Sequence, residues 1–265
     1  MAGAKGCEPA GAAGMIAADT CVASEESEPI CAAGDDVGAS ANAAPLLVKL
    51  CGMRTKADVA AVNAAAPDFA GFVVEVPGKR RTVTIEQLRE LTAVLSPAVR
   101  AVGVFVNAPV KSVHRLLIDG VISAAQLHGD EDNSYIAELR QLLECGGKQQ
   151  AEIDTESARI IQAFRVHTAA DLAQAAESAA DLVLLDSGAG SGQPFDWSLL
   201  QGFPRPFLLA GGLGPDNIAQ AAAAARSAAG KNFVGVDMSS GIETNGVKNP
   251  MKMNAAVAAA KGANR

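Results

Sequence analysis

A chain of 265 residues with a formal net charge of −7 is long enough for one large domain. Hydrophobic residues make up 49% of it and aromatic residues only 4%, so we expect a large core built mainly of Ala, Val, Ile and Leu. No apolar run reaches the roughly 18 residues of a membrane-spanning helix, and no basic patch indicates a nucleic-acid surface. The sequence therefore predicts no membrane and no nucleic-acid partner.

The first 45 residues differ from the rest in composition. They carry seven acidic side chains against Lys5 alone, so residues 46–265 are close to neutral. The segment is rich in Ala, Gly, Ser and acidic residues and has no sustained helical or strand period, which predicts a mobile or weakly structured extension at 1–45 and a catalytic domain at 46–265. The five cysteines are odd in number and lack CxxC spacing, so neither a disulfide framework nor a zinc site is expected. The N-terminus shows no secretory pattern, and a reducing cytoplasm is the expected compartment.

From Leu46 onward, short β-branched apolar runs alternate with longer amphipathic runs rich in Ala and Leu, which predicts alternating strands and helices. The predicted strands are residues 46–51, 69–74, 99–106, 122–127, 159–166, 181–186, 206–210 and 232–237. The helices are expected to begin near Thr55, Thr84, Asn107 to Pro109, Asp132, Thr168 and Pro215, with a short sixth helix at Trp197 to Leu200. Eight strand–helix units predict a single (β/α)8 TIM barrel, an α/β fold, because a doubly wound sheet more often has five or six strands.

Functional groups of such barrels lie where the strands end. The first strand ends at Cys51, and the sixth ends at Asp186 after four apolar residues. Cys51 is either a buried small hydrophobe or a thiolate that acts as base or nucleophile, which requires a lowered pKa. Asp186 either caps the next loop or reacts with substrate. Together they could supply proton-transfer groups from two different strands.

Glycine-rich turns follow the last three predicted strands, at residues 188–192, 210–213 and 237–243. Glycine lets backbone N–H groups approach an anion closely, and barrels often bind phosphate after their seventh and eighth strands. One such turn alone could be only a tight turn, whereas two in these successive positions predict a phosphate site.

Polar side chains follow two other strands. Lys79, Arg80 and Arg81 lie in the loop after the second strand, either as a solvated turn or as a carboxylate-binding site. Gln126 and His128 end the fourth strand and offer polar groups to the same end of the barrel. For His128, a structural and a catalytic role are both open at this point.

These segments, in this order, resemble the phosphoribosylanthranilate isomerase family. The matching stretches are VKLCGM, the KRRTVT loop, VGVFVN, AQLHGDE, LVLLDSGAGSGQPFDWSLL, LLAGGLGPDNI and VGVDMSSGIETNGVKN, within residues 46–262. The resemblance implies an Amadori rearrangement of N-(5′-phosphoribosyl)anthranilate to its 1-deoxyribulose phosphate isomer in tryptophan biosynthesis. It implies a small phosphoribosyl substrate, no cofactor and no metal. We expect a monomer or a homodimer.

The resemblance also implies roles for individual residues. Asp186 would be the general acid that protonates the furanose ring oxygen, and Cys51 the general base that removes the C2 proton. Cys51 must then be partly thiolate, with Lys49 or the phosphate pole as candidates for lowering its pKa. Arg81 would hold the anthranilate carboxylate, with Arg80 as a competitor. The other expected substrate-binding residues are Gln126, His128, Gly190, Ser191, Gly211, Gly212, Asp237, Ser240 and Gly241.

The sequence departs from the family pattern in two loops, and other functions stay open. Lys79 replaces a common serine, and Ala189 replaces a usual glycine. One alternative is a phosphate-binding barrel without catalysis. Others are a related lyase such as indole-glycerol-phosphate synthase, whose lysine and glutamate arrangement is not found, and a metal-dependent phosphosugar epimerase, which needs more ligands than three histidines suggest. A bifunctional sugar isomerase would use paired aspartates, where this chain has Cys51.

Overall fold

The computed structural model describes residues 45–145, 160–186 and 197–263. Its main sheet is a ring of parallel strands: β1 Leu47–Cys51, β2 Phe69–Val74, β3 Arg100–Phe105, β4 Ala124–Leu127, β5 Ile160–Arg165, β6 Leu182–Asp186, β7 Phe207–Ala210 and β8 Phe233–Met238. Each strand pairs with the next one in the sequence, and β8 pairs with β1, so the ring closes. The two-residue strand Thr82–Val83 adds only to the end of β2. The predicted (β/α)8 barrel is confirmed, and each strand lies within two residues of its predicted bounds.

The helices fill the connections between the strands. They are α1 Lys56–Ala65, α2 Ile85–Thr92, α3 Val110–Ile118, α4 Asn133–Cys145, α5 Ala169–Ala176, α6 Ile218–Ala229 and α7 Pro250–Gly262, with a 3-10 turn at Trp197–Leu200 between β6 and β7. Thr55, Thr84 and Thr168 each form a capping box, in which the side chain accepts a hydrogen bond from the third helical residue and that residue's side chain accepts one in return. These predicted starts are confirmed.

The predicted start of the helix after β7 at Pro215 is wrong, because a turn precedes the helix. The Gly214 amide donates to the side chain of Asn217, and its carbonyl accepts from Ile218, where α6 begins. A second local feature follows β8. A 3-10 turn at Ser240–Ile242 leads into a short antiparallel hairpin of two two-residue strands, Glu243–Thr244 and Val247–Lys248.

The core has two layers on the two faces of the barrel strands. One cluster fills the ring and includes Phe69, Ile161 and Leu208, and a larger one lies between the strands and the helices. Along β1, Val48 and Leu50 belong to the outer cluster, so strand alternation turns Lys49 and Cys51 inward. The barrel therefore places two polar side chains of β1 in its interior.

The predicted extension lies outside the described residues except for Pro45, so the division at residues 45 and 46 stays a prediction. No helix in the described ranges is long and apolar enough to cross a membrane.

Candidate active site

Cys51 is the last residue of β1, and its side chain is buried. Gly71 lies opposite it on β2, and a Cβ atom at position 71 would come within 2.7 Å of the Cys51 sulfur. Glycine at position 71 therefore leaves the room that the thiol occupies. The next residue, Gly52, has a φ of +88°, which turns the chain sharply away from the strand.

Lys49 and Asp237 form a buried ion pair beside Cys51. The two residues are opposite each other in the register of β1 and β8, and Lys49 Nζ lies 2.8 Å from Asp237 Oδ1. The Lys49 side chain is fully buried. Burial acts to lower the pKa of Lys49, but Asp237 and Cys51 together hold it above its usual 10.5, so the side chain remains an ammonium. A fixed positive charge therefore lies next to the thiol.

Burial raises the pKa of the Cys51 thiol above its usual 9.0. The ammonium of Lys49 acts against this, Asp237 adds to it, and Lys248 again opposes it. Because burial outweighs the two cations, the lowered pKa expected from the sequence is not found. Cys51 is mainly a thiol at neutral pH, and the thiolate fraction is a strong base.

Asp186 ends β6 and faces a histidine. His128 Nε2 lies 4.0 Å from Asp186 Oδ2, and Gln126 Nε2 lies 3.0 Å from His128 Nδ1. Because an amide nitrogen donates, the imidazole accepts at Nδ1 and carries its proton on Nε2, toward Asp186. Burial lowers the pKa of His128, so the ring is neutral near pH 7. Three residues predicted from the sequence thus come together at the ends of β4 and β6.

Sequence reasoning missed Arg165, which lies at the end of β5 opposite Asp186 in the strand register. Its positive charge helps to lower the pKa of His128, after the larger effect of burial. The signal that could have found it is the one that identified Asp186, a charged residue directly after an apolar run.

The arginine loop after β2 meets the hairpin after β8. Arg81 donates from Nε and Nη2 to the two carboxylate oxygens of Glu243, at 2.7 and 3.0 Å. Arg80 Nη2 and Lys248 Nζ also lie 2.9 Å from this carboxylate. Burial acts to raise the pKa of Glu243, but the hydrogen bonds from Arg81 and Lys248 lower it to about 2. Glu243 and Lys248 appeared in the matched segment without an assigned role, because their partners are distant in sequence.

Arg81 lies closer to Cys51 than Arg80 does. A Cβ atom on Gly52 would come within 2.6 Å of Arg81 Cδ, so this side chain packs over the residue that follows Cys51. Arg80 has a side chain that is 51% exposed, compared with 30% for Arg81. The position of Arg81 is therefore the one suited to a ligand at Cys51.

The glycine turns after β7 and β8 touch each other. Gly211 and Gly212 have φ values of 98° and 62°, and the space beside Gly212 is open. A Cβ atom on Gly241 would overlap the carbonyl oxygen of Leu213, so glycine is required for the two loops to approach. Ser240 begins the 3-10 turn in the same place. Gly190 and Ser191 lie outside the described residues.

Within the ranges that the structure describes, no group of three His, Cys, Asp or Glu side chains has an arrangement that could hold a metal ion. The groups at this end of the barrel are instead a thiol, a carboxylate, a neutral imidazole and several fixed cations. Such a set is able to transfer protons and to bind an anionic ligand.

Comparison with known proteins points to one family. Residues 48–259 match the family described as N-(5′-phosphoribosyl)anthranilate (PRA) isomerase. The N-(5′-phosphoribosyl)anthranilate isomerase of Lacticaseibacillus casei strain BL23 is 40% identical over 216 residues, which cover 82% of this chain and 95% of the relative. The crystal structure of phosphoribosyl anthranilate isomerase from Thermotoga maritima has a TM-score of 0.66 and 29% identity, covering 82% of this chain and 99% of that one. A crystal structure of such an isomerase in complex with reduced 1-(o-carboxyphenylamino)-1-deoxyribulose 5-phosphate has a TM-score of 0.65, 28% identity and the same coverage.

Proposed function

This chain belongs to the family of N-(5′-phosphoribosyl)anthranilate isomerases and is an isomerase of tryptophan biosynthesis, and we propose that Cys51 is its general base and Asp186 its general acid. One observation carries this assignment. The two side chains end β1 and β6 at the same end of the barrel, Cys51 beside the Lys49 ammonium and Asp186 beside a neutral imidazole. An acid and a base on different strands can act on two different atoms of one substrate.

The first step opens the furanose ring. Asp186 gives its proton to the ring oxygen as the bond from that oxygen to C1 of the ribose breaks, and the lone pair of the anthranilate nitrogen forms the C1–N double bond. The product is a protonated Schiff base with a free C4 hydroxyl. His128 directs its Nε2–H toward Asp186 Oδ2 across 4.0 Å and so provides a neutral polar neighbour for the acid. Since His128 is neutral, it adds no positive charge beside the cationic Schiff base.

The second step moves a proton from carbon. The iminium makes the C2 proton acidic, and the Cys51 thiolate removes it, which leaves an enolamine that tautomerises to the ketone. Lys49 and Lys248 both favour the thiolate electrostatically. No step in this sequence needs a metal or an organic cofactor.

Three parts of the site support the proposed substrate contacts. Arg81 beside Gly52 suits the anthranilate carboxylate. The adjoining turns with Gly211, Gly212, Ser240 and Gly241 suit the phosphate, with Gly190 and Ser191 proposed as additional contacts. One oxygen of Asp237 accepts a hydrogen bond from Lys49, so its second oxygen suits a sugar hydroxyl. Gln126 acts through His128.

The proposed setting is a reducing cytoplasm, and the proposed assembly is a monomer or a homodimer. The proposed catalytic domain is residues 46–265, after an extension at 1–45.

The test is the fluorescence decay of freshly generated phosphoribosylanthranilate with the purified protein. Cys51→Ser and Asp186→Asn should each lower kcat by about 10²- to 10⁴-fold, the usual contribution of a general acid or base, with little change in substrate affinity. Cys145→Ser, in α4, is the matched control, and the substrate fluorescence should decay with it at the same rate as with the unchanged protein. A loss of affinity as large as the loss of turnover contradicts the assigned roles. No decay with folded protein would favour a phosphate-binding barrel without catalysis.

A further inference from the structure

Four charged side chains form one cluster above Gly52, which we call the Glu243 cluster. It consists of Arg80, Arg81, Glu243 and Lys248, with every cation within 3.0 Å of the carboxylate. Three cations and one carboxylate leave a charge of +2 (3 − 1). An ion pair that served only to stabilise the fold would need one cation for one carboxylate. The excess charge fits a cluster that is completed by an anionic ligand.

The Glu243 carboxylate is the fixed part of this cluster. Its side chain is only 7% exposed, and its backbone belongs to the short hairpin, where Glu243 pairs with Lys248. The carbonyl of Glu243 accepts a hydrogen bond from Lys252 Nζ at 2.8 Å, and Arg80 donates to the carbonyl of Gly246 at the tip of the hairpin. The hairpin is thus held from both sides, and the carboxylate with it.

This carboxylate determines the orientation of Arg81. Glu243 takes the Nε and Nη2 side of the guanidinium, while Arg81 Cδ lies against Gly52. A guanidinium is planar, so fixing two of its nitrogens fixes the plane and the direction of Nη1. In the part of the chain that the structure describes, the hydrogen bonds of the guanidinium come from Nε and Nη2 and none from Nη1, so Nη1 is the donor left for a ligand.

We propose that Glu243 is a positioning residue that holds the Arg81 guanidinium in the orientation that receives the aryl carboxylate of the substrate. This inference rests on the proposed role of Arg81 as the carboxylate anchor. Glu243 acts through Arg81 and does not touch the reacting atoms. Arg80, on the solvent side, only supports Glu243. The conformational entropy of the long arginine side chain is then lost when the protein folds and not when the substrate binds.

The experiment compares two ligands that differ in one carboxylate. The first is reduced 1-(o-carboxyphenylamino)-1-deoxyribulose 5-phosphate, and the second is the same compound with a plain phenyl ring. Their dissociation constants are measured by calorimetry for the full-length protein and for Glu243→Gln, Glu243→Asp and Arg81→Ala. Glu90→Gln is the matched control, because Glu90 forms only an exposed ion pair with Lys56.

Glu243→Gln should raise the dissociation constant of the carboxylated ligand about tenfold and that of the phenyl ligand by less than about twofold, because only the first ligand uses a pre-oriented Arg81. Glu243→Asp keeps the charge but shortens the side chain, and it should also weaken the carboxylated ligand selectively. It serves as the second variant if Glu243→Gln does not fold. Glu90→Gln should leave both ligands unchanged.

Each contrary result has a separate meaning. Equal weakening of both ligands by Glu243→Gln, or no weakening of either, overturns the positioning role. If Arg81→Ala does not discriminate between the ligands, the carboxylate anchor of the proposed function fails instead. If Arg81→Ala discriminates and both Glu243 variants do not, only the positioning inference is lost.

Discussion

The two sides of the active end of the barrel differ in how charge is arranged. On the base side, formed by β8, β1 and β2, Cys51 lies among Lys49, Asp237 and Lys248, with the Glu243 cluster above it. On the acid side, formed by β4 to β6, Asp186 faces a histidine that burial keeps neutral, and the cation opposite it in the strand register, Arg165, is exposed to solvent. A thiol gains from buried fixed cations because they favour its ionised form. A carboxyl group that must stay protonated until it reacts is better served by a neutral imidazole than by a buried cation at the same place.

The largest effect is expected at Lys49. Lys49→Met would leave Asp237 buried without a counterion and remove the nearest cation from Cys51, so we expect a loss of about 3–5 kcal/mol in the free energy of unfolding. We also expect a drop in kcat of about a hundredfold, as for an impaired general base. Urea unfolding and steady-state kinetics measure the two effects.

The double variant Lys49→Met with Asp237→Asn separates stability from catalysis. It removes both charges of the pair and should recover much of the stability, while turnover stays low. If turnover recovers together with stability, Lys49 acts only in folding, and the electrostatic contrast between the two sides is wrong.

The next effect tests which arginine anchors the substrate. Arg81→Ala should raise KM about 10- to 100-fold with little change in kcat, since a charged hydrogen bond contributes about 1.5–3 kcal/mol. Arg80→Ala is the matched comparison and should raise KM only about two- to threefold, as expected for a more exposed ion pair. A larger effect from Arg80→Ala would reverse the assignment.

The pH dependence of the residual kcat/KM of Asp186→Asn should reflect the raised pKa of Cys51, because asparagine does not titrate and the thiol is then the group whose ionisation limits the reaction. Since this pKa lies above 9.0 and the deprotonated form is the base, the residual kcat/KM should still rise with pH between neutrality and pH 9. The slope should approach about tenfold per pH unit where the thiol is mostly protonated. A plateau reached near neutral pH in this variant would contradict a base with a raised pKa.

His128→Asn should have a smaller effect on the acid side. The neutral imidazole lies beside Asp186 but transfers no proton in the proposed sequence, so we expect a fall in kcat of about fivefold, below the usual contribution of a general acid. The melting temperature should change little, because the imidazole is neutral near pH 7 and its loss removes no charge–charge interaction. A loss as large as that of Asp186→Asn would make His128 itself a proton-transfer group.

The smallest effect concerns stability in acid. The folded protein holds the pKa of Glu243 at about 2, below its usual 4.5. This carboxylate therefore stabilises the fold above pH 4.5, and the contribution is lost as the pH falls toward 2. Glu243→Gln should be less stable near neutral pH but should lose less stability on acidification than the unchanged protein. Identical acid dependence of the two proteins in thermal melts would contradict the pKa shift.

The fold could be predicted because its signals are local. Barrel strands are buried on both faces, so they read as short continuous apolar runs such as residues 69–74 and 182–186. Capping boxes connect residues three positions apart, which made the starts at Thr55, Thr84 and Thr168 readable. The start at Pro215 was misplaced because Asn217 bonds to Gly214 and forms a turn that competes with the helix.

The site could be predicted in its positions but not in its contacts. The rule that functional groups follow barrel strands selected Cys51, His128 and Asp186. The ion pairs that decide the charge of the site join distant positions, as Arg81 and Glu243 do across 162 residues. The raised pKa of Cys51 also depends on burial, and the strand pattern alone does not show whether burial or the nearby cations have the larger effect on it.

The pairing of Lys49 with Asp237 has a consequence for how the chain is made. The two residues are 188 positions apart, and they lie on the strands that close the ring. At a synthesis rate of about 5–20 residues per second, roughly 10 to 40 s pass between their additions on the ribosome. During that interval the nascent barrel has two open strand edges and an interior ammonium without its counterion. Pairing of β8 with β1 closes the edges and neutralises the charge in one event. A chain that terminates early therefore keeps both the open strand edges and the unpaired ammonium, which makes it a target for chaperones and proteases.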